Sequence, residues 1–362
     1  MVKKILVVDD SALMRRVLCD IINSDKRFQV AAKATDGLEA FDLLSRNRFD
    51  AVVLDVNMPR MNGLDLLKEL RKYRIPAKVM MASTDTKEGA KTTLDALELG
   101  ALDFIHKPDS AVDCRVEAFK SELLRTLDVV ASSRPPVYEP DEKLQEERKT
   151  TVKMVDIVRR HTAKVPGRKI IAIASSTGGP RALQAVVPQL PKELDAPVLI
   201  VQHMPKGFTA SLAERLNDLS SITVKEAKEG DELEAGVVYI AMGGMHMNVK
   251  TSPAGRCTIH YSDEPSREGV KPCANYMYES LMNSRFDSIV CVVMTGMGAD
   301  GTEGIKNLKT QKNVHVIAQD QNSCTVFGMP KSVINAGLSN QVTALDQIAQ
   351  EIILHVGVKT ND

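Results

Sequence analysis

Hydrophobic and polar residues alternate regularly along the first third of the chain. Short apolar runs that end in polar residues predict five strands, in KILVVDD, FQVAAKA, FDAVVLDV, AKVMMAST and ALDFIHKP. Between them, apolar residues recur at helical spacing in stretches such as SALMRRVLCDIINS and GLDLLKELRKY. Five strand–helix units predict a doubly wound α/β domain over residues 1–125, with a parallel sheet covered by helices on both faces.

The pattern changes between residues 126 and 167. This segment is first Pro-rich and then charged, as in SSRPPVYEPDEKLQEERKTT, which predicts a flexible linker. From residue 168 strands and helices alternate again, which predicts a second doubly wound α/β domain over 168–362. Several strands near 223–262 follow one another without a helix, which indicates an antiparallel hairpin. The predicted strands of this domain are KIIAIAS, APVLIVQH, ITVKEA, GVVYIA, CTIHY, SIVCVVMTG and VHVIAQD.

Charge, apolar run length and cysteine spacing limit the possible partners of the protein and its place in the cell. The 362 residues contain 47 Lys plus Arg and 47 Asp plus Glu, so a net charge of zero argues against a nucleic-acid partner. No apolar run approaches the roughly 20 residues of a membrane span, so we expect no membrane insertion. The six cysteines are scattered without metal-like spacing, which is typical of reduced thiols in a cytoplasmic protein.

Functional side chains follow the strands of the first domain. Asp9 and Asp10 end the first strand, Asp55 ends the third, Ser83 follows the fourth and Lys107 follows the fifth. The carboxyl ends of parallel strands meet at one edge of a sheet, so these groups should lie together. Clustered carboxylates repel one another and favour a hard cation such as Mg²⁺, while the lysine and the hydroxyl suit a phosphoryl group.

These residues carry a resemblance to a known domain. ILVVDDSALMRRVL, VVLDVNMPRMNGLDLL, MMAST and GALDFIHKP resemble the flavodoxin-like receiver domain of two-component response regulators. The resemblance implies that Asp55 is the phosphoacceptor. It implies a Mg²⁺ site formed by Asp9, Asp10, Asp55 and the backbone carbonyl of Asn57.

The same resemblance assigns the remaining receiver residues. Ser83 and Lys107 would contact the phosphoryl group, and Phe104 would be the aromatic switch residue. A receiver fold alone says little about the output domain.

In the second domain three strands deliver groups suited to acyl transfer. Ser176 follows KIIAIAS, His203 follows APVLIVQ, and Asp300 lies in the loop GMGADGTEG. Such a set can act as nucleophile, general base and orienting acid. The ordinary alternative is that a serine before paired glycines starts a helix and that the histidine is merely packed.

The glycines around these residues favour the catalytic interpretation. Gly178 and Gly179 permit close backbone approach, and the N–H-rich loop TGMGADG makes the backbone near Met297 a candidate oxyanion donor. His246 in MGGMHMN has two possible roles, because it could line the crevice or close a turn.

Five motifs together resemble the catalytic domain of the chemotaxis protein-glutamate methylesterase (CheB) family, which is Rossmann-like. They are ASSTGGPRAL, VLIVQHMPKGFTASLAERL, VYIAMGGMH, MTGMGADGTEG and AQDQNSCTVFGMPKSVINAG. The resemblance assigns Ser176, His203 and Asp300 to the triad, and Thr177 and Met297 to the shape of the site and its oxyanion hole. It implies methyl-accepting chemotaxis receptors as substrate, a chemotaxis histidine kinase as phosphoryl donor, and no cofactor for the ester chemistry. It also implies deamidation of glutamine, and a receiver that covers the crevice until it is phosphorylated.

The chain departs from the family pattern at a few positions. KPCAN at 271–275 stands where RPSVD is expected, so Lys271 replaces an arginine and Asn275 an acid. Met242 replaces a proline, and Ser175 stands where alanine is usual. We expect these changes to affect substrate handling more than the triad.

Two other functions are compatible with a receiver domain. A DNA-binding output is common, but residues 168–362 contain neither a compact three-helix pattern nor a basic helix. The chain could also be an esterase or amidase with another substrate, or a non-catalytic adaptor.

Overall fold

The computed structural model describes residues 2–83, 87–108, 117–136 and 167–359. The chain divides into two compact units, Met1–Glu139 and Pro140–Asp362. Most of the predicted linker, residues 137–166, lies outside the described residues. Among the helices that the structure describes, none combines the length and the apolar character that crossing a bilayer requires.

The first unit is a parallel sheet with helices between its strands, as predicted. Its strands are β1 (Lys3–Val8), β2 (Phe28–Ala34), β3 (Ala51–Asp55), β4 (Val79–Ser83) and β5 (Asp103–His106), and its helices are α1 (Ala12–Asn23), α2 (Gly37–Arg46), α3 (Gly63–Lys72), α4 (Lys87–Glu98) and α5 (Glu117–Ser132). The strand order β2-β1-β3-β4-β5 is that of flavodoxin-like folds.

A hydrogen-bonded cap sets the start of α1, and the apolar pattern sets the end of α5. In α1 the Ser11 hydroxyl accepts a hydrogen bond from the Met14 N–H at 3.3 Å and caps the helix. The predicted domain boundary at residue 125 falls inside α5, which continues to Ser132. Leu127 and Val130 are fully buried in the core of the first unit, so the apolar stripe carries the helix past that boundary.

The second unit is built on a seven-stranded parallel sheet. Its strands are β6 (Lys169–Ser175), β7 (Val198–Gln202), β8 (Thr223–Glu226), β9 (Val237–Ile240), β12 (Ser288–Val293), β13 (Asn313–Gln319) and β14 (Gln341–Thr343), with β10 (His246–Thr251) and β11 (Cys257–Ser262) forming a separate antiparallel hairpin. The helices are α6 (Gly179–Val186), α7 (Phe208–Leu219), α8 (Ala274–Ser280), α9 (Thr302–Leu308), α10 (Met329–Asn335) and α11 (Ile348–Val356).

The predicted hairpin is present, and it pairs the predicted strand β11 with β10, a strand that the sequence pattern did not show. β8 and β9 follow each other without a helix and nevertheless pair in parallel. The antiparallel pair is β10 with β11, and β10 was not predicted because HMNVKT contains few apolar residues. β14 was also missed, since it has only three residues.

The strand order β14-β13-β12-β6-β7-β9-β8 determines where a ligand can bind. From the central β6 the chain proceeds to β7 on one side and later to β12 on the other. This reversal is the topological switch point of a Rossmann-like sheet, and ligands bind outside the carboxyl ends of the strands there. The residues that follow β6, β7 and β12 therefore share one edge.

Candidate functional site

In the first unit, the carboxyl ends of β1 and β3 carry an acidic cluster. Carboxylate oxygens of Asp9, Asp10 and Asp55 lie within 4.8 Å of one another. Asp9 and Asp55 are buried and Asp10 is exposed. Lys107 follows β5, and its Nζ lies 3.1 Å from Asp9 Oδ2 and 2.7 Å from Asp55 Oδ1. The strand-end prediction for these four residues is thus met by their geometry.

Burial and charge both act on this cluster. Burial raises the pKa of Asp55, although Lys107 opposes the change. Burial would lower the pKa of Lys107, but Asp55 and Asp9 outweigh it and hold that pKa above its usual value. Arg15 Nη1 also lies close, 2.6 Å from the Asp9 carbonyl oxygen, but three carboxylates still exceed these two cationic groups. Oxygen ligands on both a buried and an exposed side fit a divalent cation that keeps some of its waters.

Of the other predicted receiver residues, Ser83 and Asn57 lie at the same edge of the sheet, and Phe104 lies within β5. Ser83 is the last residue of β4 and is buried, with its Oγ 3.4 Å from the Gly89 carbonyl oxygen. Phe104 is buried in β5, whereas Asn57 is exposed two residues after Asp55. Their functions stay predictions.

In the second unit, His203 directly follows β7, and Asp300 lies in the loop after β12. His203 Nε2 is 2.8 Å from Asp300 Oδ2, and both side chains are largely buried. With Asp300 ionised, Nε2 carries the proton, so Nδ1 is the free basic nitrogen. Ser176 follows β6, and within the described residues its hydroxyl makes no hydrogen bond to this ring. Such bonds often form only when substrate binds.

The Asp300 carboxylate is held by the start of α8. Its Oδ1 accepts hydrogen bonds from the Cys273 thiol at 3.0 Å and the Asn275 N–H at 2.9 Å, and its Oδ2 accepts one from the Ala274 N–H at 2.6 Å. Burial opposes ionisation, but the bond from His203 and these donors outweigh it and hold the pKa of Asp300 below its usual value. Asp300 is therefore a permanently charged partner for the imidazole at neutral pH.

The KPCAN stretch thus contacts the candidate triad directly, which corrects the expectation that its changes concern substrate handling. Asn275 is buried, and its Oδ1 accepts hydrogen bonds from the Gly301 N–H at 3.1 Å and the Gly304 N–H at 2.7 Å. It thereby fixes the loop that carries Asp300. Lys271 forms an ion pair with Asp263.

Thr177 directly follows Ser176 in the chain, and Met297 lies in the loop after β12, which approaches Ser176. The Thr177 carbonyl oxygen accepts a hydrogen bond from Thr295 Oγ1 at 3.0 Å. A Cβ added at Gly296 would lie 2.7 Å from Ser176 Cβ, so the glycine allows the loop before Met297 to approach the serine. An oxyanion role for the two residues stays a prediction.

His246 proves to be a strand residue. It is the first residue of β10, is fully buried, and accepts a hydrogen bond on Nδ1 from the Cys273 N–H at 3.2 Å. Burial and the nearby Lys271 charge lower its pKa. The sequence analysis did not single out Gln202 or Cys273. The only signals were that Gln202 precedes His203 and that Cys273 lies inside KPCAN.

Fold and sites together define a class of protein: a response regulator whose receiver is joined to a hydrolase domain with a Rossmann-like sheet. Residues 5–116 match the response regulator receiver domain, and residues 171–352 match the CheB methylesterase domain. The chain belongs to the CheB methylesterase family.

Named relatives and a solved structure agree with this assignment. A protein-glutamate methylesterase/protein-glutamine glutaminase of Pyrococcus horikoshii is 42% identical over 355 residues, which cover 98% of this chain and 94% of that one. A Bacillus subtilis protein of the same name is 42% identical over 361 residues, covering 96% and 97%. The crystal structure of the Thermotoga maritima CheB methylesterase catalytic domain is 41% identical, with a TM-score of 0.50, covering 52% of this chain and 98% of that one.

Proposed function

We propose that this chain is a phosphorylation-activated hydrolase that demethylates glutamate γ-methyl esters and deamidates glutamines on the cytoplasmic helices of methyl-accepting chemotaxis receptors. Residues 168–362 would form its catalytic domain and residues 1–125 its receiver. We place the protein in the cytoplasm, without a nucleic-acid partner. The observation that carries the proposal is the 2.8 Å pair of His203 Nε2 and Asp300 Oδ2 at the sheet edge where Ser176 also lies.

The chemistry would follow from the charges around the imidazole. Ser176 Oγ attacks the ester carbonyl carbon while its proton passes to His203 Nδ1, and Asp300 stabilises the imidazolium that forms. Backbone N–H groups near Thr177 and Met297 would stabilise the oxyanion. The C–OCH₃ bond then breaks, His203 returns the proton, and methanol leaves an acyl-enzyme.

Hydrolysis of the acyl-enzyme would complete the cycle. His203 takes a proton from water, the hydroxide oxygen bonds to the acyl carbon, and the Ser176 Oγ–carbon bond breaks as His203 returns that proton to Ser176 Oγ. The glutamic acid formed then releases its own proton to solvent and becomes a carboxylate. A glutamine substrate follows the same path with ammonia as the leaving group. No cofactor is required in the ester chemistry.

In the receiver, Asp55 would accept the phosphoryl group from a chemotaxis histidine kinase. Asp9, Asp10, Asp55 and the Asn57 carbonyl would hold Mg²⁺, whose positive charge favours phosphoryl transfer to the carboxylate. The phosphoryl group on Asp55 would carry roughly −1.5 to −2 charge at pH 7 in place of the carboxylate charge. Lys107 and Ser83 would contact this group, and Phe104 would shift in response.

The direct test measures methanol release from membranes that carry methylated chemoreceptors, using the full chain with and without acetyl phosphate and Mg²⁺. We expect release that rises with acetyl phosphate, that is lost in Ser176→Ala, and that no longer responds to acetyl phosphate in Asp55→Asn. A folded wild-type protein that releases no methanol would contradict the substrate assignment. Survival of deamidation in Ser176→Ala would contradict the shared acyl-enzyme.

A further inference from the structure

Gln202 is a buried polar residue at the carboxyl end of β7, outside the candidate triad. It is the last residue of β7 and directly precedes His203, while Ser175 is the last residue of β6 and directly precedes Ser176. Ser175 and Gln202 are register partners in the parallel pair of β6 with β7. Both side chains are buried, with 0% and 2% exposed.

The Gln202 amide bridges the two segments that carry the candidate nucleophile and base. Its Nε2 donates hydrogen bonds to the Ser176 carbonyl oxygen at 3.0 Å and to the His203 carbonyl oxygen at 3.1 Å. Its Oε1 accepts a hydrogen bond from Ser175 Oγ at 2.7 Å. Both N–H donors and the carbonyl oxygen of the amide are therefore in use.

These partners permit only one orientation of the amide. A flipped amide would place its oxygen against the carbonyl oxygens of Ser176 and His203, which cannot donate. The Ser175 hydroxyl can donate or accept, so it adapts to this orientation and satisfies Oε1. A buried polar group with all its partners present is rigid, because loss of any one leaves a desolvated donor or acceptor.

Gly179, the second of the paired glycines, makes room for this amide. A Cβ at this position would overlap Gln202 Oε1 and would lie 2.9 Å from Ser175 Cβ. The Gly179 N–H also donates to the Ser176 carbonyl oxygen at 2.7 Å. The two lone pairs of that carbonyl are thus taken by Gly179 and Gln202, which fixes the peptide that follows the serine.

We infer that Gln202 is a positioning residue that holds Ser176 and His203 at a fixed separation, with Ser175 completing its hydrogen bonds. The inference rests on the proposed function, since it needs Ser176 and His203 to react together. The strands do not need the side chain in order to pair, because their backbone ladder already continues from the Ser175 carbonyl oxygen to the His203 N–H at 3.1 Å. A shift of about 1 Å in such a pair can lower a rate by about 100-fold.

The test compares Gln202→Met, which removes all three hydrogen bonds at similar volume, with Gln189→Met in the full chain. Gln189 follows α6 at the opposite end of that helix from Ser176, and its Nε2 donates a hydrogen bond to the Ala185 carbonyl oxygen at 2.7 Å. Thermal unfolding of both variants measures how much stability each one loses. Only Gln202→Met should lose roughly 30- to 100-fold in kcat, with KM within about twofold of the wild type. Equal losses of kcat in the two variants would overturn the inference.

A second readout separates this inference from the choice of substrate. A p-nitrophenyl phosphonate reacts with an activated serine: the Ser176 Oγ–P bond forms, p-nitrophenolate leaves, and His203 takes the proton. If the wild type reacts with the phosphonate but releases no methanol, the proposed substrate fails and the Gln202 comparison still stands on the phosphonylation rate. If Gln202→Met does not fold, Ser175→Ala decides, with an expected two- to fivefold slower reaction. An unchanged rate in a folded Ser175→Ala would then overturn the inference.

Discussion

The two candidate sites lie at the same kind of sheet edge but hold their charges differently. In the first unit Asp9 and Asp55 share Lys107, Asp10 lies within 4.8 Å of them, and burial raises the pKa of Asp55. In the second unit Asp300 stands alone among hydrogen-bond donors that lower its pKa. The first site keeps a negative charge that a bound cation can neutralise. In the second site the Asp300 carboxylate is already satisfied by hydrogen-bond donors of the protein.

The largest effect that this comparison predicts concerns Asp300. In Asp300→Asn the amide nitrogen would face a donor, either His203 Nε2 or the N–H groups of α8, so the imidazole loses its tautomer and its orientation. We expect kcat to fall about 10³- to 10⁴-fold, as in triads where this exchange spoils the tautomer. Rates of ester hydrolysis and phosphonylation, with circular dichroism to verify folding, measure the loss. A loss below tenfold, or an equal loss in the exposed control Asp346→Asn, would show that the carboxylate does not serve the imidazole.

The next effect concerns Lys107. In Lys107→Met the buried carboxylates of Asp9 and Asp55 lose their cation, and breaking a buried ion pair costs about 3–5 kcal/mol. Hydrogen exchange of the β1 and β3 amides should show the loss, and millimolar Mg²⁺ should restore part of it. The matched control is Lys68→Met, because the pair of Lys68 with Asp65 is exposed. Similar hydrogen-exchange protection in both variants, or no response to Mg²⁺, would contradict an excess of negative charge at Asp9, Asp10 and Asp55.

A smaller effect tests the thiol beside Asp300. Burial raises the pKa of Cys273, so the thiol stays protonated and donates to Asp300 Oδ1. In Cys273→Ala we expect kcat to fall about fivefold at unchanged KM, since a hydrogen bond to a charged group contributes ~1 kcal/mol or more. Cys273→Ser keeps a donor and should restore most of the rate. If serine performs no better than alanine, the thiol only fills space.

Most of the residues singled out from the sequence directly end or follow a strand, whereas Asp300 lies in a glycine-rich loop seven residues after β12. Asp9, Asp55, Lys107, Ser176 and His203 were all within reach of this rule, because parallel strands deliver their carboxyl ends to one edge. The parallel α/β architecture was equally accessible from the alternation of apolar runs and helices. The end of α5 was not, since the apolar stripe continues into a stretch whose composition resembles a linker.

The other residues of the second site depend on contacts between positions far apart in the sequence, so sequence patterns could not predict them. Cys273 lies 27 residues from Asp300, and Gln202 lies 26 residues from Ser176, so no local pattern connects either pair. The KPCAN stretch was noticed only as a departure from a family pattern, and its contact with Asp300 depends on how α8 packs. Which nitrogen of His203 faces Asp300 is likewise a result of packing.

The smallest effect concerns acid stability and should have opposite signs in the two units. The folded state disfavours protonated His246, because burial and Lys271 lower its pKa more than Glu264 raises it. The unfolded imidazole takes up a proton below about pH 6.5, so acid should destabilise β10 there, by no more than about 1.4 kcal/mol per pH unit. Burial instead raises the pKa of Asp55, so the folded first unit binds that proton more readily and gains stability as the pH falls through the raised value.

Hydrogen exchange in the full chain, corrected for intrinsic rates, can follow β10 and β3 separately between pH 8 and pH 5. We expect protection of β10 to be constant above about pH 6.5 and to decrease below it, and His246→Gln should remove most of that slope. His315 also has a pKa lowered by burial, so His315→Gln is the matched control that should leave the slope at β10 largely in place. An unchanged slope in His246→Gln would place the acid sensitivity elsewhere. A decrease in protection at β3 on acidification would mean that the ion pair of Asp55 with Lys107 outweighs burial, and the two units would then hold their charges in the same way.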